Sequence, residues 1–141
     1  MRRLAFVLAS LAIAVFGLTS CGGGNGLDVT LVEWSVQPAS GSVASGELTF
    51  SAQNNGSVNH ELVIIRTDSA ADLPTTEDGR VDEAALGDDL IARTSALPSG
   101  ESGSVSAQLE PGNYALICNL VEPDGSAHYD NGMFTDLTVE G

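Results

Sequence analysis

The residue types best suited to bind a soft metal ion are concentrated in one part of this sequence. After residue 21 the chain contains two histidines, one cysteine and one methionine, which are His60, Cys118, His128 and Met133. Three of these four lie in the short segment 118–133. A thiolate and two imidazoles in a trigonal arrangement, with a weak axial thioether, form the donor set that selects copper and accommodates both of its oxidation states. The composition of this segment therefore predicts a mononuclear copper site.

Alternation of apolar and polar residues predicts the strands that would position these donors. Successive side chains of a strand point to opposite faces, so residues two apart share a face. Three of the donors have apolar partners at such spacings, in the sets Tyr114, Leu116 and Cys118; His60, Leu62 and Ile64; and Met133, Leu137 and Val139, and His128 lies on the loop between two of them. The four donors are therefore expected to point toward one interior end of the fold.

The fold class predicted for the domain is all-β, as a Greek-key β-sandwich. Alternation is clear in 48–53 and 104–109, and turn signals such as Asn54-Asn55-Gly56 and Pro111-Gly112-Asn113 separate short strands. The acidic, alanine-rich stretch from Thr67 to about Leu90 lacks this alternation. It predicts a short helical or irregular excursion on one edge of the sandwich, with one helical turn within Val81 to Leu86.

The order of the four donors resembles that of the cupredoxins, the small blue-copper proteins that include plastocyanin, azurin, auracyanin and sulfocyanin. The resemblance covers most of the domain and includes a Gly- and Asn-containing turn before His60 and the turn 111–114. It implies that His60, Cys118 and His128 are equatorial ligands of one Cu(I)/Cu(II) ion and that Met133 is the axial ligand. It also implies a type 1 copper protein that transfers single electrons.

Two features depart from the familiar cupredoxin pattern. Nine residues separate Cys118 from His128, where plastocyanin-like and azurin-like proteins have fewer, so 121–127 is interpreted as an insertion that affects the exposure of His128. Glu61 stands where those proteins have asparagine. Its backbone N–H is expected to donate to the Cys118 sulfur, and its carboxylate to favour Cu(II).

The small number of metal-binding side chains argues against an enzyme. Copper oxidases and nitrite reductases need further histidines for a second copper centre, and the chain has two histidines in all. The expected role is therefore a one-electron shuttle that exchanges electrons through His128, with Trp34 and Tyr129 as packing residues. Two alternatives stay open: a copper-binding or copper-delivery module without an electron-carrier role, and a cupredoxin-like adhesion or assembly domain with a vestigial site.

The N-terminal residues have the layout of an export signal. Arg2 and Arg3 precede an apolar run, and the run ends in Leu18-Thr19-Ser20-Cys21, which resembles the lipobox of bacterial lipoproteins. The predicted organisation is a signal peptide (1–20), a lipidated Cys21 with a Gly-rich tether (21–27), and a cupredoxin domain (28–141). The alternative is an ordinary secretory signal with an incidental cysteine. The protein is thus expected to be exported and lipid-anchored to a membrane, facing the periplasm or the cell exterior.

The charge of the exported part is strongly negative. After residue 20 the chain has three arginines and nineteen acidic residues, a formal charge of −16. This excludes nucleic acid as a partner of the domain and favours redox proteins with a basic docking patch. Acidity that serves only solubility, or that reflects a salty habitat, is equally consistent with the composition. The domain is expected to be a monomer.

Overall fold

Two β-sheets face each other in the computed structural model, which describes residues 25–141. One sheet has the strand order β2-β1-β4-β7 and the other the order β3-β9-β8-β5-β6. Most neighbouring strands are antiparallel, but β1 runs parallel to β4 and β3 parallel to β9. The strands are β1 (Asn25–Val32), β2 (Ser35–Pro38), β3 (Ser42–Ala44), β4 (Gly46–Asn54), β5 (Val63–Arg66), β6 (Leu90–Arg93), β7 (Ser102–Leu109), β8 (Gly112–Ile117) and β9 (Phe134–Glu140). The predicted β-sandwich is therefore confirmed.

The main core lies between the two sheets and follows the alternation of the sequence. In β4, Leu48, Phe50 and Ala52 are buried while Glu47 and Ser51 are exposed. The facing sheet contributes buried residues from β8 and β9, including Tyr114, Leu116 and Leu137. Cys118 and Met133 belong to the same cluster. These two metal-ligand candidates are therefore part of the packed core, which restricts their side chains.

The excursion between β5 and β6 covers the outer face of the second sheet. It contains two 3₁₀ turns (Ala70–Asp72 and Gly87–Asp89) and one helix, α1 (Glu83–Leu86), which lies within the predicted helical segment. The Asp82 side chain caps α1 by accepting hydrogen bonds from the N–H groups of Ala84 and Ala85. A second apolar cluster forms beneath the excursion from Val63, Ile65, Ala70, Leu73, Val81, Ala115, Ile117 and Tyr129. Strand β5 is therefore buried on both faces, which explains its uninterrupted apolar run.

The predicted signal peptide (1–20) and the predicted lipidation site Cys21 lie outside the described residues. Strand β1 begins at Asn25, and Leu27 is buried within it. The last three residues of the predicted tether, 25–27, are thus part of the sheet. Among the helices found between Asn25 and Gly141, none has the length and apolar character needed to cross a bilayer.

Candidate metal centre

His60 is held in position by a loop that a buried asparagine organises. The side-chain amide of Asn54 donates to the carbonyls of Val58 (2.8 Å) and Leu97 (2.7 Å), and its oxygen accepts from the Gly56 N–H (2.8 Å). His60 itself pairs with Leu97 through two backbone hydrogen bonds of 3.1 and 2.7 Å. The Asn-Asn-Gly turn therefore fixes the backbone from which the first imidazole projects.

The other three candidates come from the loop that joins β8 to β9. Strand β8 ends one residue before Cys118, and β9 begins one residue after Met133. The N–H of Cys118 donates to the Met133 carbonyl, and the N–H of Met133 donates to the His128 carbonyl, each at 3.0 Å. Gly132 precedes Met133 with a φ of +91°, a conformation that glycine adopts without steric cost. Backbone bonds thus bring the two ends of the long loop together despite the insertion.

Three donor atoms converge in a buried triangle. Nδ1 of His60 and Nδ1 of His128 are 3.2 Å apart, and they lie 3.9 and 3.2 Å from the Cys118 sulfur. With metal–imidazole bonds of about 2.0 Å and metal–thiolate bonds of about 2.3 Å, a trigonal ion separates its donor atoms by about 3.5–3.8 Å. All three residues and Met133 are fully buried. The triangle thus has the size and donor chemistry of a trigonal site for a single copper ion.

Burial also sets the protonation of the donors. Desolvation raises the pKa of the Cys118 thiol to about 11, although the Glu61 N–H, which donates to the sulfur at 3.4 Å, opposes this shift. Desolvation likewise lowers the pKa of His60, which keeps its imidazole neutral. A cation that binds here therefore meets a neutral imidazole and displaces the proton of the thiol. The hydrogen bond from the Glu61 N–H is the contact predicted from the sequence.

Each histidine has a carboxylate near its outward-facing nitrogen. Oε1 of Glu122 lies 2.8 Å from Nε2 of His128. Oε1 of Glu33 lies 3.5 Å from Nε2 of His60, a buried nitrogen without a hydrogen-bond partner. The pKa of Glu33 is lowered to about 2 by hydrogen bonds from backbone N–H groups, first its own and then those of Ser57 and Val58. Glu33 therefore stays ionised beside the site.

The sequence interpretation missed both carboxylates. Glu122 could have been predicted from the sequence, because an acidic residue in the loop that joins Cys118 to His128 is a candidate contact of His128. Glu33 could not, because only the assembled sheet brings the turn between β1 and β2 beside the loop that carries His60.

An aromatic side chain covers His128. Trp34 lies in the turn between β1 and β2, and its ring meets the His128 ring edge-on, with centroids 5.2 Å apart and an interplanar angle of 86°. Tyr129, by contrast, is buried and donates its hydroxyl to the Ala70 carbonyl at 2.6 Å, which confirms its packing role. The imidazole that was expected to exchange electrons directly therefore has no solvent-exposed surface.

The excursion is tied to the ligand loop by polar contacts. Asn119 exchanges two hydrogen bonds with the backbone of Val81 (2.7 and 3.1 Å) and donates to the Glu83 carboxylate at 2.9 Å. Glu83 also pairs with Arg93, whose guanidinium lies 3.9 Å from the buried Glu61 carboxylate. The residue that follows Cys118 is thus anchored to a segment outside the two sheets.

Replacing Glu83 by glutamine is expected to destabilise the metal-free protein in a pH-dependent way. The hydrogen bond from Arg93 holds the pKa of Glu83 below its ordinary value of 4.5. A lowered folded-state pKa gives stability that is present above pH 4.5 and is lost as the pH falls through the lowered value. Because the pair is partly exposed, the loss at neutral pH should be about 0.5–1 kcal/mol. Urea unfolding at neutral and at acidic pH measures it, and an equal loss at both pH values would contradict this assignment.

Among known proteins, similarity to this chain was found in solved structures, and it concerns the fold. No family model matches the chain, and no curated protein does. The structure of Na-dithionite reduced auracyanin from the photosynthetic bacterium Roseiflexus castenholzii is similar at a TM-score of 0.62 and 22% identity, over 85% of this chain and 100% of that one. A structure of auracyanin B is similar at a TM-score of 0.58 and 27% identity, over 83% and 89% of the two chains. The described residues thus share the architecture of both.

Proposed function

We propose that this chain, a cupredoxin by its fold and by its His-Cys-His-Met cluster, is a mononuclear blue-copper protein that carries single electrons. The observation that carries the proposal is the convergence of two imidazole nitrogens and one sulfur within 4.8 Å of one another, all of them buried. Bound copper would supply one-electron chemistry by cycling between Cu(I) and Cu(II).

The surrounding residues suit a carrier better than a catalyst. His60, Cys118, His128 and Met133 together provide a complete ligand set, so no position is left for a substrate. The ligands are fixed before the metal binds, by the backbone bonds of the Cys118–Met133 loop and by Asn54. A rigid, dry site of this kind changes little between two oxidation states, which favours fast electron exchange. We therefore propose no enzymatic activity.

The proposal extends to where the carrier works. Cys21 in its lipobox context would anchor the protein, and the Gly-rich segment after it would hold the domain off a membrane surface. The carrier would then shuttle electrons between redox proteins at the outer face of that membrane, as a monomer with one copper ion.

Copper loading followed by redox cycling tests the function. The protein loaded with one equivalent of Cu(II) should become intensely blue, lose its colour on reduction with ascorbate and regain it on oxidation with hexacyanoferrate(III). Metal analysis after several cycles should still find one copper per chain. A colourless stoichiometric Cu(II) complex would overturn the blue-copper assignment. Loss of the metal on reduction would instead identify a copper-delivery module.

A further inference from the structure

The way electrons reach the centre is not evident from its ligands, because the protein covers them. His128 is fully buried, with Glu122 on its outer nitrogen and the Trp34 ring in perpendicular, edge-on contact with its ring. Electron transfer between proteins slows steeply as the distance between the redox centres grows. The side chain that joins a ligand to the surface therefore decides where a partner must dock.

Trp34 makes that connection. Its ring contacts the His128 ring, yet 38% of the residue is exposed, which makes it the one large hydrophobic side chain exposed within 25–141. A groove of mixed character includes Glu122, the carboxylate on His128, and Asn59, and its apolar lining comes from Val58, Ala96, Leu120, Val121 and Pro123. Exposed aromatic side chains beside apolar ones are typical of the centres of protein interfaces. Trp34 is therefore both a contact of the ligand and a candidate docking residue.

The charges near Trp34 indicate what kind of partner fits. The carboxylates of Glu33 and Glu122 lie beside the two histidines, with side chains 31% and 24% exposed. The arginines of the described residues are engaged with other groups, Arg66 with Tyr114, Arg80 with Asp78 and Arg93 with Glu83. The rim around the Trp34 ring is thus negative, which complements a positively charged partner.

We propose that Trp34 is the docking and electron-exchange residue of this protein, and that its partner is a basic redox protein with an apolar cofactor edge. The inference rests on the proposed function. With copper held by His60, Cys118, His128 and Met133, the oxidised cofactor of the partner would gain the one electron given up when Cu(I) becomes Cu(II), and no proton would move. Trp34 remains chemically unchanged and shortens the path between the two centres.

The first test compares electron-exchange rates of Trp34→Ala and Trp34→Phe with the parent protein and with Leu86→Ala, a partly exposed apolar control on the excursion. Stopped-flow oxidation of the copper-loaded proteins by tris(1,10-phenanthroline)cobalt(III), an aromatic cation, gives the second-order rate constants. Trp34→Ala should be slower by about tenfold or more, the scale of truncating an interface hot spot. Trp34→Phe should retain most of the rate, and Leu86→Ala all of it. Unchanged colour and circular dichroism would show that the site and fold survive.

A second measurement needs no copper. Trp34 is the only tryptophan of the chain, so the fluorescence of the metal-free protein reports on this position alone. The cobalt(III) complex should quench this fluorescence saturably, and added salt should weaken the effect. Hexacyanoferrate(III), an anion, should quench much less at the same concentration.

The outcomes separate this inference from the proposed function. A protein that does not cycle at all contradicts the proposed function. A protein that cycles, but whose Trp34→Ala variant exchanges electrons as fast as the parent, overturns the docking inference alone. A faster Trp34→Ala variant overturns it too, because the ring would then shield His128 from partners. Equal quenching by the cation and the anion would show that the negative charges around Trp34 do not select a positively charged partner.

Discussion

Replacing Cys118 by serine is expected to abolish the blue colour of the copper-loaded protein and to weaken copper binding by about 100-fold or more. The colour depends on a thiolate bonded to copper, and a hydroxyl is a harder ligand that stays protonated at neutral pH. Loss of a group that only hydrogen-bonds to a ligand costs about 10–100-fold in metal affinity, so loss of a direct ligand should reach at least the upper end of that range. Absorbance and a competition titration against a chelator measure the two effects.

The second cysteine of the chain offers a matched control. Cys21→Ser removes the predicted lipidation site but no donor of the triangle, so the colour and the copper affinity should not change. Serine is close to cysteine in size, so Cys118→Ser should keep the fold. A Cys118→Ser protein that remains blue would exclude Cys118 as the thiolate ligand.

Shortening Leu116 to alanine is expected to cost the metal-free protein about 3–5 kcal/mol of unfolding free energy. Leu116 lies in β8, is fully buried, and belongs to the core cluster that contains Cys118 and Met133. Truncating this side chain leaves a cavity between the sheets, and the hydrogen-bonded strands limit how far the structure can relax to fill it. Urea unfolding measures the loss, and it should be done without copper, because a bound metal adds its own stabilisation.

Leu116→Met is the control for this variant. It conserves volume and should cost less than about 1.5 kcal/mol. A loss as small for Leu116→Ala as for Leu116→Met would show that the core between the sheets is loosely packed at this position.

The sequence was informative wherever a local pattern determines the structure. Alternation in β4 predicted which face of Phe50 and its neighbours is buried, because a strand side chain alternates regardless of its partners. Candidate donors could be named because the chain has so few histidines and cysteines, and the fold brings His60, Cys118 and His128 together. The alternation that places His60, Leu62 and Ile64 on one face does not reveal what covers Val63 and Ile65 on the other. Only the assembled fold shows that the excursion lies over the outer face of the sheet.

Predictions that depend on contacts between distant segments were less accurate. Alternation groups Cys118 with Tyr114 and Leu116, but β8 ends at Ile117 and Cys118 lies in the loop that follows. There its N–H donates to the Met133 carbonyl, and Asn119 bonds to Val81 of the excursion. Trp34 was interpreted as a packing residue, yet it is substantially exposed and lies against His128. That contact joins two residues that are far apart in the sequence, so no local spacing predicts it.

The carboxylates behind the two histidines have a thermodynamic consequence. Negative charge from Glu33 and Glu122 would stabilise a doubly charged metal ion in the triangle more than a singly charged one. For a one-electron couple, each tenfold preference for the oxidised ion lowers the reduction potential by about 59 mV. A lower reduction potential would make the reduced carrier a better electron donor. It would need a strong reductant to load it and could pass its electron to a wide range of acceptors.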